Sequence, residues 1–229
     1  MNNRELKDVI SESLGLMDEQ NDEINESYVA QTKTFSLPTE KISQESKDVH
    51  LELYQHYIEQ MNHVSARLDT VNRKEADSSH SDFRSLKIDE IFNLNAVHLH
   101  ELYFANISDP HSEIMMDSLV FMRLERDFGS FEAWQKDFIA CALSAREGWV
   151  VTAYSTFLKR FINFFIDGHS QNIPVGCYPT VVVDTWAHSY YHDRMGDKKS
   201  YIVDMMREFN WAVIEERFKR AELIAGAMK

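Results

Sequence analysis

A chain of 229 residues that is 44% hydrophobic and 27% charged can fold around a sizeable core, and its seven glycines and four prolines leave little room for long flexible linkers. Its net charge of -13 argues against nonspecific binding of DNA or RNA. Its two cysteines, Cys141 and Cys177, make no disulfide framework, no apolar run reaches the ~18 residues of a membrane span, and the acidic N-terminus lacks the features of a signal peptide, so a soluble cytoplasmic protein is expected.

The acidic extension, residues 1–34, carries a ragged apolar stripe of Leu6, Ile10, Leu14, Leu16 and Met17. It predicts a short amphipathic helix and an extended tail, either docked on a partner or half-ordered at the surface. Pro38 and Ser43 then signal a long helix over residues 45–70, with Ser43 as its cap. Val49, Leu53, Tyr57, Met61, Val64 and Leu68, mostly three or four apart, predict its buried stripe. NRKEADSSHSDFR reads as the polar tip of a hairpin. A second long helix follows over residues 85–103, with Leu86, Ile91, Leu94, Val97 and Leu102 inward. Residues 35–107 thus read as a helical hairpin domain.

The short polar stretch NISDPHSE marks the boundary to a second domain, residues 108–229. DSLVFMRLERDF and SFEAWQKDFIACALSAR predict helices, the second capped by Ser130. The period then changes. WVVTAYSTF and RFINFFIDG are β-branched and aromatic and predict two strands joined by a tight turn. TVVVD predicts a third strand buried on both faces, and the chain returns to helix from AHSYYHDRM onward. The expected class is α+β: an N-terminal long helical hairpin and a C-terminal α/β domain with a three-stranded antiparallel sheet.

Asp184 closes the valine run, and a buried carboxylate without compensation costs several kcal/mol. A metal ion or a nearby cation would answer it. His188 lies four residues on, and His50 falls beside the stripe of the first helix. His98 and His100 are two apart on the second helix and cannot share a face, so only one turns inward. Each histidine alone could be satisfied by a backbone carbonyl. Three imidazoles with one carboxylate form a set that suits iron, manganese or zinc better than calcium or magnesium.

VDTWAHSYY resembles the signature of the iron/manganese superoxide dismutase family, and the likeness extends over roughly residues 35 to 222. ISQESKDVHLELYQHYIEQMN is similar to that family's first long helix, FNLNAVHLHELYF to its second, FGSFEAWQKDF to its FGS helix start, and EGWVV to the opening of its sheet; YIVDMMREFNWAVIEERF matches its closing helices. The resemblance implies a mononuclear manganese or iron ion, one per chain, held by His50, His100, Asp184 and His188. It implies an outer glutamine at Gln171, as in manganese-type members, since the position used by iron-type members is Ala96. Trp149 and Trp186 would wall the pocket, and Tyr191 would be an interface tyrosine.

The chain also departs from the family. A gate tyrosine eight residues after the first ligand is replaced by Ile58, and Tyr57 beside it lies about 100° round the helix, out of reach by expectation. A channel histidine is replaced by Tyr54. The glutamate that bridges to the partner subunit is replaced by Ala187. The implied function is dismutation of superoxide to dioxygen and hydrogen peroxide, with weakened activity, in a homo-oligomer that binds neither nucleic acid nor membrane. The alternative is a structural or assembly protein, such as a component of a virion or other large particle, that retains the metal site.

Overall fold

The computed structural model describes residues 27–227. The expected helix within the N-terminal extension falls on residues 1–26, outside the described residues. Two long helices come first, α1 (Gln44–Thr70) and α2 (Asp82–Asn106), separated by a 3-10 turn at Arg73–Glu75. There follow α3 (Leu119–Phe128), α4 (Phe131–Ser144), β1 (Gly148–Ser155), β2 (Arg160–Asp167), β3 (Cys177–Asp184), α5 (Ala187–Arg194), α6 (Lys198–Arg207) and α7 (Trp211–Ala227). The sheet is three-stranded and antiparallel in the order β2-β1-β3, so the α+β class holds. No helix among the described residues is long and apolar enough to cross a membrane.

The chain divides into two compact units, Met1–Ala30 with Glu59–Glu90, and Gln31–Ile58 with Ile91–Lys229. In the first, Val64, Leu68 and Leu86 are buried, with Val71 and Phe83 packed against them. The tip is closed by polar bonds: the Arg73 guanidinium donates to the Leu68 carbonyl, and Asp77 Oδ1 accepts from the backbone N–H of Ser79 and His80. Ser65 Oγ and Asn62 tie down the backbone at Tyr28 and Ala30.

In the second unit, the buried stripe of α1 lies one residue from the apolar pattern. His50, Tyr54 and Ile58 are buried at intervals of four, whereas Val49 is exposed and Leu53 and Tyr57 are half-buried. The face includes the polar Ser46 and His50, which a count of apolar residues passes over. The same correction applies to α2. Ile91 and Leu94 are exposed, and a buried run passes through Asn93, Ala96, Val97, His100, Tyr103 and Phe104, with Leu99 buried beside it. These spacings of one and three form a continuous helical stripe.

The sheet is the core of this unit. All eight residues of β1 are buried, as are Thr180 to Asp184 at the end of β3. Gly148 opens β1 because nothing larger fits: a Cβ there would stand 1.8 Å from the Ile166 carbonyl oxygen on β2. Phe128, Gly129 and Ser130 turn the chain between two helices. Gly129 takes the left-handed conformation (φ 90°) that ends α3, and Ser130 Oγ accepts from the Ala133 N–H to start α4. A bulge in the β1–β3 ladder accommodates Pro179.

Arg217 on α7 joins three elements. Its guanidinium is buried and donates to Asn106 Oδ1, to the Thr180 carbonyl (3.1 Å) and to the Leu102 carbonyl (3.0 Å). Leu102 lies near the C-terminal end of α2, where the helix dipole favours a cation. Replacing Arg217 by Met should strand these acceptors in the interior and lower the unfolding free energy by about 3 kcal/mol, measured by urea denaturation. An unchanged midpoint would show that the guanidinium does not clamp these elements.

Candidate metal centre

Four side chains from three helices and one strand converge. His50 comes from α1, His100 from α2, Asp184 from the end of β3 and His188 from α5. Their donor atoms all lie within 4.8 Å of one another. Asp184 and His100 are completely buried, His50 nearly so, and the His188 side chain is 24% exposed. Asp184 Oδ2 is the common point: His50 Nε2 is 3.1 Å away, His188 Nε2 3.2 Å and His100 Nε2 3.8 Å.

Local structure aims each group. Asp184 Oδ1 accepts the Trp186 N–H at 2.8 Å, which turns the chain out of β3 and leaves Oδ2 facing the histidines. Four residues on, His188 returns to the same carboxylate in the first turn of α5. On α2, His100 faces inward and His98 is exposed. His100 Nδ1 lies 2.6 Å from the Ala96 carbonyl, which can only accept, so Nδ1 carries the proton. Nε2 is then a bare lone pair. It is buried, has no hydrogen-bond partner among the described residues, and points at a carboxylate oxygen.

A lone pair turned towards an anion in a dry site requires a cation between them. The ionisation preferences of three of the four groups agree. Burial, with the neighbouring His50, pushes His100 down to about 3, so it is neutral. Burial also lowers His50, against the pull of Asp184. Asp184 stays ionised because the histidines outweigh the cost of its desolvation. Against the cost of burial, Asp184 raises His188, whose proton a bound cation would displace. Neutral His50 and His100 with an ionised Asp184 are in the states that ligate a metal, and the set is consistent with a mononuclear manganese or iron site.

The surrounding layer differs from expectation. Trp149 is buried, its ring 4.9 Å from that of His100 and nearly perpendicular to it. Trp186 stacks on His188 at 5.9 Å and on His169 at 5.2 Å. Gln171 does not join the cluster. It is exposed, and its backbone N–H and carbonyl are bridged to Asp167. Two residues earlier in the same loop, His169 is fully buried. Tyr191 is 62% exposed.

His169 brings in a second residue that spacing had set aside. Trp149 Nε1 donates to His169 Nδ1 at 2.9 Å, and His169 Nε2 lies 3.0 Å from the Tyr57 hydroxyl. The Tyr57 ring leans on His100 at 5.5 Å. Tyr57 therefore reaches the site despite its one-residue offset, because α1 buries Ile58 at the expected gate position and the imidazole of His169 spans to the phenol. The sequence held one signal for this, a histidine in the loop HSQN itself. Tyr54, at the channel histidine's position, is buried and donates to Glu101 Oε1 at 3.0 Å; Glu101 in turn pairs with Lys33.

Comparison with known proteins gives the same answer as the geometry. Residues 117–217 match the family described as iron/manganese superoxide dismutases, C-terminal domain. The chain is 31% identical over 194 residues to the "Superoxide dismutase [Fe]" of Aquifex aeolicus, covering 83% of this chain and 90% of that one. It is 33% identical over 138 residues to the corresponding protein of Cupriavidus metallidurans, 59% of this chain and 68% of that one. It is 32% identical over 123 residues to "Superoxide dismutase [Mn] 2" of Haloferax volcanii, 54% of this chain and 61% of that one. With coverage this broad and the buried histidine–aspartate cluster in place, the chain belongs to the iron/manganese superoxide dismutase family.

Proposed function

We propose that this protein dismutates superoxide to dioxygen and hydrogen peroxide at one manganese or iron ion held by His50, His100, Asp184 and His188. The observation that carries this is the convergence of three imidazole Nε2 atoms on Asp184 Oδ2, one of them an unpartnered lone pair. When bound, the ion supplies the one-electron redox chemistry that superoxide disproportionation needs. The carboxylate of Asp184 lowers the positive charge of the site, and Trp149 and Trp186 give it an apolar wall.

Peroxide formation consumes protons, and the surrounding side chains can hold one in a defined place. Indole N–H only donates, so His169 Nδ1 must accept from Trp149. Burial pushes His169 down to about 4, so near neutral pH its one proton sits on Nε2. That N–H donates to the Tyr57 oxygen and leaves the phenolic proton free to turn towards the site. Burial and the charge of Asp184 raise the Tyr57 pKa and keep that proton in place. Tyr57 thus supplies the hydroxyl that Ile58 lacks. With Gln171 exposed, it gives no reason to prefer manganese over iron.

Metal content and activity on one preparation test the whole proposal. Elemental analysis should give close to one manganese or iron per chain, and superoxide consumption should follow that content. Stripping the metal should lower the melting temperature, because an ion that binds only the folded state stabilises it. A fully loaded protein with no activity would overturn the enzyme in favour of a structural role. Absence of both metals would overturn the ligand set.

The proton route is tested separately. Tyr57→Phe should lower turnover at least about tenfold while metal content holds. His169→Leu should do likewise, and His169→Gln, which keeps an acceptor and a donor, should recover most of the rate. Ile58→Tyr should not help, because the position is fully packed and the added bulk costs ~1–3 kcal/mol. Unchanged turnover in Tyr57→Phe would exclude the route.

A further inference from the structure

Both ring nitrogens of His169 are committed to different elements. Nδ1 meets the Trp149 indole on β1 at 2.9 Å, and Nε2 lies 3.0 Å from the Tyr57 hydroxyl on α1. Hydrogen bonds weaken steeply away from their preferred distance and angle, so one ring serves both partners only if its backbone is held to within about 0.5 Å. His169 lies in a short loop between β2 and β3, and the loop must supply that constraint.

The base of the loop is well fixed. Asp167 and Gln171 exchange two backbone hydrogen bonds, at 3.2 and 3.1 Å, which close the turn over residues 168–170. Asp167 Oδ1 accepts the Arg146 N–H at 2.9 Å, and the Gly168 N–H donates to the Glu147 carbonyl at 2.6 Å. These bonds act before and after His169, and none engages its own N–H or carbonyl.

One side chain does act on the His169 main chain. Asn95 on α2 donates from Nδ2 to the His169 carbonyl at 2.8 Å. A carbonyl only accepts, so the amide turns its NH₂ to the loop. Among the described residues this is the only hydrogen bond to the His169 backbone. Phe92, three residues earlier on α2, meets the imidazole at 4.6 Å with the rings nearly perpendicular. One turn of α2 thus holds His169 by its carbonyl and against its ring. The same helix carries His100, so a proposed metal ligand and the loop histidine are set from one rigid element.

We propose that Asn95 is a positioning residue: it touches no reacting atom and acts by holding the His169 peptide so that the imidazole spans Trp149 and Tyr57. This role presupposes the superoxide dismutation proposed above. Without the amide the loop is anchored only at its base, and the imidazole loses one partner or the other. A misplacement of about 1 Å in such a group costs up to about 100-fold in rate.

Two variants of the full-length, metal-loaded protein test this role. Asn95→Leu is close in size and removes the donor, and Asn95→Asp keeps the shape but turns an acceptor on the carbonyl. Asn95 is only half-buried, so both should fold with wild-type metal content. Amide hydrogen exchange, read by mass spectrometry, should rise at least about tenfold in residues 167–172 and stay unchanged in α1 and β1. In both variants kcat should fall about tenfold while kcat/KM holds, because superoxide reaches the site before the proton is needed. In a Tyr57→Phe background either change should cost nothing further, since the route is already cut. Wild-type exchange in residues 167–172, an unchanged kcat, or a full further loss in the Tyr57→Phe background would each overturn the positioning role. A wild type that holds its metal without consuming superoxide would instead overturn the dismutase reading, and this role with it.

Discussion

The second unit is organised around a single buried oxygen, Asp184 Oδ2. An ionised carboxylate with no solvent exposure would cost several kcal/mol if left alone. Its other oxygen is spent on the Trp186 N–H, so all compensation at Oδ2 must come from His50, His100 and His188. That requirement fixes the rotation of α1 and α2 about their axes and the start of α5. An ion bound there would link three helices to the end of a strand, and its binding energy would add to the stability of the fold. Side chains of this kind are unstable company without a cation, so the proposed ligands and the architecture are mutually dependent.

Two short hydrogen-bond chains give the centre its polarity, and each is fixed by a group that cannot reverse its role. The Ala96 carbonyl can only accept, so the His100 proton sits on Nδ1 and its lone pair turns inward. The Trp149 indole can only donate, so the His169 proton sits on Nε2 and points to Tyr57. Both chains start in regular structure, one on α2 and the other on β1, where the backbone is held by packing. Gly148 has a part in this. By allowing β2 to approach within van der Waals range at the start of β1, it sets the strand position from which Trp149 reaches His169.

The fold class was legible in the sequence because it rests on strong local signals, whereas the full set of four converging residues was legible only through the family resemblance, Asp184 alone carrying a local signal. The valine run ending in Asp184, the turn at Gly129–Ser130 and the long amphipathic helices are of that kind. What was not legible is the exact face of each helix. Apolar periodicity placed Val49 and Ile91 inward, yet both are exposed, because buried polar residues such as Ser46, Asn93 and His100 belong to the stripes and carry no hydrophobic signal. The same blindness hid His169 behind Gln171. Both lie in one tetrapeptide, and only the backbone bridge between Asp167 and Gln171 decides which side chain turns in. Tyr57 was set aside on helical geometry alone, which treats its partner as fixed, whereas an imidazole in the loop reaches further.

The two departures from the family pattern therefore differ in kind. Beside Ile58 a hydroxyl stands one residue back along α1, at Tyr57, where His169 meets it. Ala187 has no such counterpart on α5. The glutamate it replaces would act on His188, the only member of the cluster with appreciable exposure. In this chain His188 is instead oriented from within: its Nε2 meets Asp184 at 3.2 Å, and its ring stacks on Trp186 at an interplanar angle of 21°. A ring held at one edge by a carboxylate and along one face by an indole has little rotational freedom left. Orientation of His188 thus does not require a carboxylate from outside this chain.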